Sequence, residues 1–278
     1  MLNQWIPDPL WLGIAQAAIA LVLALLVLLV LLVTIARFNA TTGTTAGDRL
    51  GQDTLMALAR GLIQIILVGL VLGLLLDQAL WTGGVMLLVM MTFAANIAQR
   101  RARGTPGAFG VALVSIAGGA GSVVALMTWL GVIEPTIASL IPIGSIIVAG
   151  AMQSCGQALD RLQGEVRAHS AEIEAGLALG AAPSTTMAPF VQAAMLASLI
   201  PRLDILRSLG IVWIPGIMAG MILGGIDPIY AALYQFVIMA LVFATATLTV
   251  CLTMVLMQKH FFTPAEQLSA EASPSTRG

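Results

Sequence analysis

Between Leu10 and Ile35 the chain runs for 26 residues without one charged side chain. As a helix this run is about 39 Å long, more than the roughly 30 Å of hydrocarbon in a bilayer. Inside lipid the backbone must satisfy its own hydrogen bonds, so a continuous, non-alternating apolar run can only be a helix. Six more runs follow: Gly61 to Leu76, whose helix should begin near Leu55, then Ala79 to Ala98, Ala108 to Ile133, Thr136 to Leu159, Ser208 to Ile226 and Ile229 to Met257. With 59% hydrophobic and 9% charged residues, one water-soluble core cannot hide such a surface. The expected fold is an all-α integral membrane protein with about seven transmembrane helices. Nothing basic precedes Arg37 and the first run is too long for a leader core, so it should remain as the first span.

Charge sets the expected topology. Arg37, Arg49 and Arg60 follow the first run, Arg100, Arg101 and Arg103 the third, Arg161, Arg167, Arg202 and Arg207 the fifth, and Lys259 and Arg277 the seventh. The other side carries Asp8, Asp77, Glu134 and Asp227. The positive-inside rule then puts the N-terminus outside and the C-terminus in the cytoplasm. A net charge of −1 predicts no nucleic-acid partner. Cys155 and Cys251 both lie in apolar runs, which suggests buried thiols rather than a disulfide framework.

Residues 159–207 form the largest segment outside the expected spans and are expected to be cytoplasmic. Leu162, Val166, Ile173 and Leu177, with His169, fall at helical spacing, so the fifth span should continue outward as an amphipathic helix. Ala181-Ala182-Pro183-Ser184 turns the chain, and a second amphipathic piece runs from about Pro189 to Ile200, stopping at Pro201. Two such helices suit docking to a partner or lying on the membrane surface. The tail, 264–278, is rich in Ser, Ala and Glu and is expected to be flexible and cytoplasmic.

Ser208 to Gln235 is the least regular of the apolar regions. Pro215-Gly216 would sit mid-span, where the proline removes a donor and breaks or kinks the helix. Gly216, Gly220 and Gly224 share one face. Broken helices in lipid occur where protein or a water-lined cavity satisfies the freed groups, so this region is read as a pathway lining, with helix packing the plain alternative. Gln64, Asn96, Gln153 and Gln235 are the amides at membrane depth, and Met152, Met218 and Met221 could form a soft lining or simply fill gaps. No carboxylate lies mid-span, which counts against a proton-coupled carrier, and no internal repeat supports an inverted-repeat one.

The single lysine, Lys259, lies in Gln258-Lys259-His260, outside any Gly-Lys-Ser/Thr phosphate loop. His169 and His260 stand alone, so no metal-ligand spacing is visible. No catalytic chemistry and no resident cofactor are expected of this chain.

Gly210-Ile211-Val212-Trp213-Ile214-Pro215-Gly216-Ile217-Met218-Ala219-Gly220, then Ile222-Leu223-Gly224-Gly225-Ile226-Asp227-Pro228 and Tyr234-Gln235, resemble the signature of the FetB (YbbM) type iron-export permeases of ABC transporters. That bacterial family is similar to the plant aluminium-sensitivity and aluminium-tolerance permeases. Arg60 with Gln64, Ile141-Pro142-Ile143, Glu174 with Leu179-Gly180-Ala181, and Leu199-Ile200-Pro201 extend the resemblance over nearly the whole chain. Ala149-Gly150 departs from it, standing where the family has Gly-Asn.

The resemblance implies a single permease domain over 1–263 in the bacterial inner membrane. It also implies a second copy of the chain and a separate ATP-binding subunit, which would bring ATP and Mg. Glu174, Leu179, Gly180 and Ala181 would couple to that subunit, echoing the Glu-Ala-Ala loop of ABC permeases. Gln64, Met152, Gln153, Pro215, Gly216, Met218, Gly220, Met221 and Gly224 are the pathway candidates. The cargo implied is iron or another metal, free or as a complex. A stand-alone carrier or channel, a permease for a non-metal small molecule and a membrane scaffold are the rival readings.

Overall fold

The computed structural model describes residues 9–42, 46–102, 105–263 and 265–269. The described residues are helical, with two isolated bridge pairs and no strand. Seven helical stretches are long and apolar enough to cross a membrane. Asp8, Arg103 and Arg277, counted in the charge pattern, lie outside the described residues, as does the tail from 270 onward.

Two compact units divide the chain near Leu74. The first holds α1 (Pro9–Thr42) and α2 (Ala46–Leu75). Their spanning windows, Ala15–Thr34 and Thr54–Leu75, are almost wholly exposed and apolar all round, as lipid-facing helices are. An apolar cleft between them is walled by alanines of α1 and by Gly61, Leu62 and Ile66 of α2.

The second unit is built around α6 (Ile137–Ala168), which packs on α3 (Leu80–Gln99), α8 (Pro183–Ser208) and α10 (Pro228–Met257). Ile147, Ala151, Cys155, Ala158 and Leu162 recur every three or four residues along α6 and are fully buried. Lipid supplies no hydrophobic drive for helix association, so close packing of small residues must supply it. A methyl at Gly144 would meet Leu87 of α3 at 2.8 Å, and one at Gly156 would meet Arg101 at 3.0 Å.

The fourth crossing departs from a plain helix. It consists of α4 (Ala108–Ile116), a π-turn over Ala117–Gly121 and α5 (Ser122–Trp129). The small residues Ala117-Gly118-Gly119-Ala120-Gly121 let this turn lie directly on α10, where a methyl on Gly119 would overlap Thr249 Oγ1.

The seven long helices match the expected number, but the sixth is a different segment. α8 runs unbroken from Pro183 to Ser208 through Pro189 and Pro201, where the sequence suggested an amphipathic piece ending at Pro201. The expected span Ser208 to Ile226 holds only α9 (Gly216–Leu223), about 12 Å long and far too short to cross alone. Both prolines lie on the exposed side of α8, so neither ring is forced into the packed core and the helix continues through them. After Ser208 the chain instead makes a turn in which Val212 N donates to Ser208 O and Gly210 N to Trp213 O.

α9 is closed by a Schellman turn. Gly225, at φ +86°, takes the left-handed position while Ile226 N donates to Met221 O and Gly225 N to Ile222 O. Asp227 then caps α10, its Oδ1 accepting from Ile229 N and Tyr230 N, with Pro228 in the first helical position.

Candidate functional site

The broken region can be placed by its side-chain ties. Arg202 of α8 meets α6 at Gly150, Gln153 and Ser154, and Gly150 in turn faces Val242 of α10, which a methyl there would approach to 3.2 Å. Ser208 ends α8 six residues beyond Arg202, roughly 9 Å on. Met218 N of α9 donates to Gln235 Oε1 at 3.2 Å, and Gln235 lies about 10 Å along α10 from Val242 toward Pro228. α8 therefore stops, and α9 starts, at nearly the same level, roughly 10 Å inside the Pro228 end of α10. α8 and α9 are thus separated by an irregular stretch, 209–215, that lies beside α10.

The pathway candidates distribute unevenly around this break. Pro215 is buried just before α9, while Met218 and Met221 are half-buried on it. Gly216 and Gly220 have open space where a methyl would stand, and Gly224 meets only its own helix carbonyls, so among the described residues of this unit no other helix packs on the smooth face. Gln153 accepts from Arg202, and Met152 packs against the α6 core. Gln64 is exposed on α2 in the first unit. Asn96 is tied within α3, its Oδ1 accepting from Gln99 Nε2 at 2.8 Å.

At the other end of α6 the chain builds a projecting elbow. α7 (Ser170–Ala178) turns into α8 through a second Schellman motif. Gly180 sits at φ +83°, Ala181 N donates to Gly176 O and Gly180 N to Leu177 O. The motif accounts for the glycine six residues after Glu174. The apolar stripe expected to face a partner or the membrane is instead consumed within the chain. Leu162, Val166 and Ile173 are fully buried in one core with Met187, Phe190 and Ala194 of α8, and His169 stacks on Phe190 with ring centres 4.7 Å apart.

What remains free is the tip. Glu174 is exposed, and Leu179 is 89% exposed although a leucine normally seeks burial. A cleft of about 720 Å³ opens between Glu174, Gly180 and Ala181 on the elbow and Ala265 to Leu268 of the tail. The start of that tail is held back by Phe262 pairing with Leu268 and by Ser269 N donating to Phe261 O at 2.8 Å, a turn the composition of 264–278 does not announce.

Sequence reasoning missed Arg202, which it counted among cytoplasmic charges. Arg202 is buried inside a spanning helix, so it no longer supports the charge count that oriented the chain. The signal that could have found it is the apolar content on both sides of Pro201-Arg202. Among the described residues no group of three or more His, Cys, Asp or Glu side chains could hold a metal ion.

A family model described as "Uncharacterised protein family (UPF0014)" matches residues 16–262. The chain is 33% identical over 221 residues to "Probable iron export permease protein FetB" of Escherichia coli, covering 79% of this chain and 85% of that one. It is 34% identical over 227 residues to "UPF0014 membrane protein STAR2" of Oryza sativa, covering 80% and 79%. With "Protein ALUMINUM SENSITIVE 3" of Arabidopsis thaliana it shares 32% over 225 residues, covering 80% and 82%. No solved structure matches. Seven apolar helices and these matches together make the chain a multi-pass inner-membrane protein that belongs to the UPF0014 family of membrane permeases.

Proposed function

We propose that this chain is the membrane permease of an ATP-driven ABC exporter for iron or another metal, as an ion or a complex. It would act as two copies with two copies of a separate ATP-binding subunit that carries ATP and Mg, its N-terminus outside and its elbow and C-terminus in the cytoplasm. The observation that carries this reading is the elbow. A rigid core links it to α6, and its tip offers Glu174, a nearly bare Leu179 and a glycine-locked turn. A partner gripping that tip moves α6 and α8 as a body. α8 ends seven residues before Pro215-Gly216, so on this reading motion at the elbow would reach the pathway candidates Pro215, Gly216, Met218, Gly220, Met221 and Gly224 through one helix. Such motion is driven only if the partner binds the two arrangements with different affinity.

The test is co-reconstitution in proteoliposomes with the ATP-binding subunit. Glu174→Ala and Gly180→Trp should insert normally yet lose stimulation of ATP hydrolysis and metal flux. Wild-type stimulation in both variants overturns the docking role, and metal flux without ATP overturns the ATP-driven reading in favour of a stand-alone carrier.

A further inference from the structure

Arg202 is 9% exposed, on a helix that crosses the membrane. Its Nε donates to Ser154 Oγ at 3.2 Å, and its Nη2 to Gly150 O at 3.1 Å and Gln153 Oε1 at 2.8 Å. All three acceptors are neutral. The ion pairs among the described residues are His169 with Glu165 and Arg207 with Asp204, so no carboxylate there answers this cation. Nη1 donates to no described residue, and it is not among the buried polar atoms sealed off without a partner. A permanently charged guanidinium is costly in such a place, and neutral acceptors such as the Gly150 carbonyl offset that less than an anion would. By its length along α6 the site lies some 20–25 Å from Ile137, well within a helix long and apolar enough to cross a membrane. It also lies just short of the break between α8 and α9.

We infer that Arg202 is an oxyanion-recognition point on the transport route, so that the cargo carries carboxylate or phosphate oxygens and any metal travels as an anionic complex. This rests on the permease reading above. Guanidinium N–H groups match such oxygens in geometry and charge, whereas a bare divalent cation is repelled. Gly150 belongs to the same device. Its backbone carbonyl accepts from Arg202, and its lack of a side chain clears Val242, which a methyl there would approach to 3.2 Å.

The experiment is a binding titration of the purified full chain in detergent, without the ATP-binding subunit, so that its outcome is separate from any failure of ATP-driven flux. The probes are citrate, inorganic phosphate and ferrous ion alone. Wild type should bind citrate or phosphate, Arg202→Gln should weaken that binding tenfold or more, and Arg202→Lys should weaken it less. Equal anion binding by wild type and Arg202→Gln, no anion binding by wild type at millimolar concentration, or binding of ferrous ion alone overturns the inference. If Arg202→Gln fails to fold, Gln153→Ala decides. Freeing one N–H of the guanidinium should raise anion affinity severalfold, and unchanged affinity refutes the site. Adding phosphatidylglycerol separates cargo from lipid: retained citrate affinity marks a soluble anion, and its loss shows that a headgroup is the occupant and overturns the cargo assignment.

Discussion

Gly119→Ala should be among the most damaging single-methyl additions in the second unit. The new Cβ would overlap Thr249 Oγ1 and stand 3.2 Å from both Thr249 Cβ and its backbone nitrogen. The hydroxyl can rotate away at about 0.5–1.5 kcal/mol if it leaves a rotamer well. The other two atoms belong to the α10 rod, so the π-turn and α10 must part, an overpacking cost of about 1–3 kcal/mol. The sum, about 1.5–4.5 kcal/mol, is a shift of roughly 10- to 2000-fold in the unfolding equilibrium. Gly220→Ala is the internal control. It lies mid-helix in α9 with nothing within 4 Å of its would-be methyl, so it should stabilise by about 0.4–1 kcal/mol. Pairing Gly119→Ala with Thr249→Ala removes the worst overlap but keeps the contacts to Cβ and nitrogen, so it should recover about a third of the loss. Equilibrium unfolding of the purified chain in mixed micelles measures all four proteins. A Gly119→Ala variant as stable as wild type would refute the packing argument.

Gly180→Ala should cost about 1–2 kcal/mol through its left-handed backbone alone, since a methyl there meets open space. Differential unfolding of wild type and variant reads that loss, and no loss would mean that the elbow relaxes freely. Gln235→Leu removes the acceptor of Met218 N at a residue 3% exposed, and should cost about 1–3 kcal/mol. Labelling of a cysteine placed at Gly220 should rise as α9 loosens; an unchanged rate counts against the tether. Gly220→Leu should lower transport more than Gly73→Leu, because only the former lies on α9, after the break. Equal flux in proteoliposomes contradicts this.

The sequence by itself determined the membrane class, the number of long apolar helices and the place of six of them, because hydrocarbon tolerates only self-satisfied backbone; Gly180 was marked only by the family resemblance, and its left-handed cap came from the fold. The sixth crossing was beyond the sequence. Hydropathy could not tell that a helix holding two prolines and Arg202 enters the bundle, since a charge reads as aqueous until neighbours supply its acceptors. Gly150, Gln153 and Ser154 do so from a helix some fifty residues earlier in the chain. The amphipathic stripe of α6 and α7 showed its period in the sequence but not its partner, which tertiary packing supplied as Met187, Phe190 and Ala194 of α8. Periodicity reports that a face must be covered; only the fold decides what covers it.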